Sequence, residues 1–118
     1  MTVTDEVRQA LDRQQTVEIT TIGRRSGRPR RLETWRYRAA GRYWLTGSPG
    51  RRDWYANLAA DPTFTLHLRD RDLRVRARLV TDPEERARVF NEIVPALSWA
   101  GTVESWLAGS PLVEIELD

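Results

Sequence analysis

Apolar and polar residues alternate through six short stretches of this chain, and each stretch predicts a strand. Residues 16–22 (Thr-Val-Glu-Ile-Thr-Thr-Ile) are alternating and β-branched. In residues 31–38, Leu32 and Thr34 fall on one side and Trp35 and Tyr37 on the other. In residues 42–47, Tyr43 and Leu45 oppose Trp44 and Thr46. Residues 63–69 alternate strictly, with Phe64, Leu66 and Leu68 inward and Thr65 and His67 outward. Past a turn at Asp70-Arg71, the next inner face is Leu73, Val75, Ala77 and Leu79, and the outer face is Arg74, Arg76 and Arg78. This pair is the clearest hairpin in the chain. Residues 112–117 form the last alternating run.

Helical spacing occurs between these runs. Residues 5–14 put Val7, Ala10 and Leu11 on one face, with Thr4 as the expected cap and Asp5 and Glu6 at the positive end of the dipole. Asp53 is the expected cap of a helix over residues 54–60, which Asp61-Pro62 ends. Asp82-Pro83-Glu84-Glu85 is a strong helix start, followed by Ala87, Phe90, Val94 and Leu97 at helical intervals until Pro95 bends or ends the helix. Residues 102–108 read as a short helix closed by Gly109. Strands with short links dominate the middle, and there is no βαβ alternation. The prediction is a mainly β, α+β fold: six antiparallel strands curled into a small barrel, with three or four peripheral helices. At 118 residues, one domain spanning 1–118 is expected.

Composition changes this picture in three ways. There are no cysteines, which excludes disulfides, thiolate metal sites and a Cys nucleophile and suits a cytoplasmic protein. No run of about 18 apolar residues offers a membrane span, and the N-terminus lacks the pattern of a signal peptide. All 19 basic side chains are Arg, so no Lys is present to form a Schiff base or serve a phosphate-binding loop. The net charge is only +2, yet residues 24–52 hold ten arginines against Glu33 alone. A basic region confined in this way suggests an anionic small molecule more than bulk nucleic acid.

That region centres on Gly23-Arg24-Arg25-Ser26-Gly27-Arg28-Pro29-Arg30. Two glycines let the backbone turn tightly. Ser26, the local N–H groups and four arginines supply donors for phosphate or carboxylate oxygens. A solvated hairpin tip in an Arg-rich chain accounts for the loop equally well. Other chemistry is sparse. His67 is the sole histidine and reads as an outward strand residue rather than a catalyst, and the carboxylates are too scattered for a metal site. No nucleophilic triad or phosphoryl-transfer loop can be assembled. The aromatics are suited to stacking bases or a flat cofactor, but for any one of them a place in the core is the simpler account.

Three pieces occur in order: Thr20-Thr21-Ile22-Gly23-Arg24-Arg25-Ser26-Gly27-Arg28-Pro29-Arg30; Gly47-Ser48; and Trp54-Tyr55-Ala56-Asn57-Leu58 leading to Asp61-Pro62. Together they resemble the deazaflavin (F420)-dependent nitroreductase family, over residues 16 to about 94. The resemblance implies a split β-barrel related to FMN-binding proteins. It implies reduced coenzyme F420 as hydride donor to a quinone, nitroaromatic or activated alkene. By the same resemblance, Arg24, Arg25, Ser26 and Gly27 hold the coenzyme's phosphate and acidic tail, with Arg28 and Arg30 extending the positive surface. Gly47 and Ser48 meet the ring, Trp54 packs beside it and Asn57 hydrogen-bonds to it. No catalytic side chain and no metal are implied, since the cofactor carries the chemistry. Members that reduce nitroimidazoles carry tyrosines late in the chain, where this one has only Trp99 and Trp106. The alternatives are the same fold with FMN or haem, or a non-catalytic module for anions or single-stranded nucleic acid. Related barrels dimerise around the cofactor, which makes a homodimer an expectation that no pattern here demands.

Overall fold

The computed structural model describes residues 2–117 and shows a closed barrel of six antiparallel strands. The strands are β1 (Thr16–Ile22), β2 (Pro29–Ala39), β3 (Arg42–Thr46), β4 (Thr63–His67), β5 (Asp72–Leu79) and β6 (Leu112–Glu116), in the order β1-β2-β3-β6-β5-β4. The β1–β4 pairing that closes the ring sets Ile19 opposite Leu66 and Thr20 opposite Thr65. The helices are α1 (Val3–Asp12), α2 (Asp53–Ala60), α3 (Pro83–Ile93) and α4 (Val103–Gly109). A single 3-10 turn over Val94–Ala96 follows α3, where Pro95 ends regular helix.

The period-2 pattern divides the apolar residues between two cores. Val17, Ile19, Tyr43, Leu45, Phe64, Leu66, Ala77, Val113 and Ile115 fill the barrel, joined by Val7 and Leu11 of α1 and by Trp54 and Leu58 of α2. The opposite faces of β2, β3 and β6 present Tyr37, Ala39, Trp44 and Leu112 to α3 and α4. There Val89, Phe90, Ile93 and Trp106 cover them, with Phe90 and Trp106 edge to face at 5.9 Å between ring centres. Trp99 is half exposed, edge-on to the equally open Trp35 at 5.9 Å.

Several expected boundaries move by one or two residues, and three of the shifts have a local cause. Helix α1 starts two residues early because Thr2, not Thr4, is its cap: Thr2 Oγ1 accepts from the Asp5 N–H and the Asp5 carboxylate accepts from the Thr2 N–H. Strand β2 runs back to Pro29, since Ile22 still has a partner there across the hairpin. Asp53 is the first helical residue of α2; the cap position belongs to Arg52, which makes no side-chain capping bond. At α3 the expected cap forms, with Asp82 accepting from the Glu85 N–H at 2.9 Å.

Candidate anion and cofactor site

The β1–β2 loop is a tight turn held by its own backbone. Gly23 N–H donates to the Arg28 carbonyl and Gly27 N–H to the Gly23 carbonyl, both at 2.8 Å, and Arg28 N–H donates to Ser26 Oγ at 3.1 Å. Gly23 admits no side chain, because a Cβ there would stand 2.6 Å from Ser26 Oγ. Gly27 adopts φ 70°, a conformation that disfavours other residues. Ser26 and the glycines therefore shape the loop, and Arg24, Arg25, Arg28 and Arg30 are left exposed on it.

One buried amide ties this loop to α2. Asn57 is 4% exposed, and its Oδ1 accepts from both the Arg24 N–H at 3.1 Å and Arg24 Nη1 at 3.0 Å. Its Nδ2 donates to the hydroxyl of Thr21, which is fully buried, at 3.3 Å. The Arg24 guanidinium is thus held at the junction of loop and helix, and its Nη2 reaches Asp53 Oδ1 at 3.4 Å. The two sequence pieces, 33 residues apart, form one unit.

A groove of about 440 Å³ runs along that unit, lined by Arg24, Arg25, Ser26, Arg30, Trp54 and Asn57 among the residues singled out from sequence. Gly23, Arg31, Leu32 and Asp53 complete it. Gly27 and Arg28 stand outside this lining, on the solvent side of the turn. Gly47 and Ser48 also stand outside it. Their backbone is packed by Arg52, whose Nη2 donates to the Ser48 carbonyl at 2.9 Å and would lie 3.0 Å from a Cβ on Gly47. A second cavity of about 760 Å³ adjoins the groove and shares Arg24 and Asp53 with it. Arg51, Arg52, Tyr55, Ser110 and Pro111 are among its walls. Sequence reasoning did not single out these residues. The Arg51-Arg52 pair beside Gly50 was the signal available in the chain, whereas residues 108–111 reach the cavity only through the tertiary fold.

His67 faces outward from β4 and is enclosed by its neighbours. One ring nitrogen lies 2.6 Å from Thr20 Oγ1 and the other 2.8 Å from Asp72 Oδ1. It lies outside the groove, in a cross-strand polar cluster. Among the described residues, no group of three His, Cys, Asp or Glu side chains is placed to hold a metal ion.

Comparison with known proteins places the chain in a family. The model of the F420H(2)-dependent quinone reductase family matches residues 2–105. The chain belongs to this family. F420 is accordingly the coenzyme, and reduction at its expense is the family's chemistry. Among solved structures, a conserved hypothetical protein of Mycobacterium tuberculosis is similar at 21% identity with a TM-score of 0.73, over 98% of this chain and 81% of that one. An F420-H2 dependent reductase is similar at 24% identity and a TM-score of 0.61, over 87% and 95%. A putative pyridoxamine 5'-phosphate oxidase of Listeria innocua gives 11% and 0.68, over 98% and 93%. At these identities the structures speak to the fold alone, the six-stranded split barrel expected from sequence. No helix among the described residues is long and apolar enough to cross a membrane.

The groove suits the coenzyme's charged end. Its tail carries a phosphate and several carboxylates, and such oxyanions need cationic donors that are not already neutralised. Among the described residues, Arg25 and Arg30 line the groove with no side-chain partner, and the only carboxylate that Arg24 meets is Asp53, through a long, exposed contact.

Proposed function

We propose that this chain is an F420-dependent reductase of quinones or similarly electron-poor acceptors, and that the groove between the β1–β2 loop and α2 holds the coenzyme. The observation that carries this reading is the Asn57-anchored Arg24, with unpaired Arg25 and Arg30 beside it and Trp54 in the same wall. Reduced F420, when bound, supplies a hydride that together with one proton takes a quinone to its quinol. The chain's own part is to bind and orient. Arg25 and Arg30 pair with tail oxyanions, Arg24 does so from a fixed position, and Arg28 adds to the local field. Ser26 and Gly27 keep the turn in shape. Trp54 is an apolar surface in the wall, 6% exposed and backed by the barrel core, so it is rigid. Gly47 and Ser48 keep a bare backbone stretch at the end of β3 that Arg52 fixes. In this reading no side chain need exchange a proton or form a covalent bond.

The test is a titration of purified protein with F420, following ring fluorescence. Binding at about tens of micromolar or tighter is expected. Arg25→Ala and Arg30→Ala should each weaken it by about 1–3 kcal/mol, the worth of one charge-assisted bond, without altering the unfolding midpoint. Absence of saturable binding would overturn the assignment. A purified protein coloured yellow by a tightly held flavin would turn it toward FMN.

A further inference from the structure

We propose that Asp53 acts as a charge gate on this site: its carboxylate competes with an anionic ligand for Arg24 and so limits which anions the groove accepts and how tightly. The proposal deepens the function given above and rests on it for the identity of the ligand.

Among the described residues, Asp53 is the one acidic residue in the lining of either cavity, and it belongs to both. It shares the lining of the groove with Arg24, Arg25, Arg30 and Arg31 and that of the second cavity with Arg51 and Arg52. The two contacts of the Arg24 side chain are unequal. On the Asn57 side the bond is 3.0 Å to a buried acceptor. On the Asp53 side it is 3.4 Å to a carboxylate that is 93% exposed. The first fixes the guanidinium; the second can be exchanged at little cost. Asp53 has no other partner among the described residues and makes no bond to the N-terminal amides of α2. An oxyanion that takes Nη2 of Arg24 either displaces this carboxylate or shares the guanidinium with it, and in both cases remains close to it. The resulting repulsion grows with the charge on the ligand, so phosphate dianion is penalised more than a single carboxylate.

The test uses Asp53→Asn, which removes charge but keeps shape, Asp53→Glu, which restores it, and Asp70→Asn as a control. Asp70 is an exposed acid paired with Arg71 outside both cavities, so its loss changes net charge equally. Each protein is titrated with F420 by fluorescence and, separately, with inorganic phosphate by NMR. Asp53→Asn should tighten both by about three- to fivefold, as expected for relief of one exposed charge contact. Asp53→Glu should behave as the wild type, and Asp70→Asn should change neither affinity. Unchanged affinities in Asp53→Asn, or an equal gain in Asp70→Asn, would overturn the gate. If F420 fails to bind the wild type while phosphate binding still tightens in Asp53→Asn, the gate stands and the coenzyme assignment falls.

Discussion

Removing the Asn57 amide separates two roles that this side chain can have, contact with the ligand or support of Arg24. In Asn57→Ala, the Arg24 N–H loses its acceptor and the fully buried Thr21 hydroxyl loses a partner. Each orphaned buried group costs about 1–3 kcal/mol. The Thr21 bond is long at 3.3 Å, and the Arg24 side chain is 30% exposed to water, so both contributions fall at the low end. A total of about 2–3 kcal/mol is expected, within the reserve of a typical small domain. Urea denaturation should therefore show a lower midpoint at unchanged slope. F420 affinity should fall as well, by about 1–2 kcal/mol, because the guanidinium loses its anchor. The deciding measurement is a double-mutant cycle with Arg24→Ala. If Asn57 acts by holding Arg24, its removal has no further effect on F420 affinity once Arg24 is gone, although stability still drops. If Asn57→Ala weakens F420 equally in both backgrounds, the amide touches the ligand directly and the positioning argument is wrong.

Two further outcomes test the frame around the site. Arg78 bridges β5, β6 and α3, with its guanidinium on Glu85 at 2.6 and 2.9 Å and on Glu114 at 2.7 Å. Those bonds hold the Glu85 carboxyl below its ordinary value, so the stabilisation is present above the unfolded value and is lost as pH falls through the folded one. Arg78→Met should cost about 1–2 kcal/mol at pH 7, reduced from the buried-pair figure because a third of Arg78 is exposed, and the difference should shrink toward pH 3 in urea titrations. A pH-independent difference would remove Glu85 from the account. Ser110→Ala deletes a buried hydroxyl with no partner among the described residues, so it should leave stability unchanged or raise it by about 0.5–1 kcal/mol in the same assay; a clear loss would show that the hydroxyl is bonded.

What the sequence revealed of the fold was what local pattern determines. Strand β1, the β4–β5 hairpin and the Asp82 cap of α3 rest on alternation and capping chemistry within a few residues, and they match the structure. The misplaced start of α1 had two threonines to choose from, and only the reciprocal bond with Asp5 selects Thr2. The adjacency of β3 and β6 was not legible, since it joins residues some 70 positions apart. The site divides in the same way. The arginine loop and the Trp54 helix were visible as composition and motif. The bond between Arg24 and Asn57, the packing of Arg52 on Gly47 and Ser48, and the place of Asp53 between two cavities are tertiary facts with no periodic trace. The side of Trp35 was read correctly as opposite to Leu32, but its exposure depends on where α3 and α4 stop covering the barrel.

An Arg-only complement of basic residues explains how many guanidinium groups this chain has, but not where they remain unneutralised. Besides Arg24, six are engaged by carboxylates among the described residues: Arg31 with Glu18, Arg38 with Asp12, Arg42 with Glu114, Arg71 with Glu6 and Asp70, Arg76 with Glu116, and Arg78 with Glu85 and Glu114. Others are held by carbonyl oxygens, as Arg86 is by those of Val80, Trp106, Leu107 and Ser110. Among the described residues, Arg13 and Arg69 have no side-chain partner, but they share a depression with Glu18 and Glu33, and Arg88 shares one with Glu85. Arg25 and Arg30 differ, because their groove contains a single acid, and that acid already leans toward Arg24. Cations that stand together beside an indole, with little acid to neutralise them, give the groove the field that the proposed flat and charged ligand requires. The same accounting explains why one carboxylate at Asp53 matters. Where acids are plentiful, the loss of one is diluted; here it would remove the only acid among the described residues that line the groove.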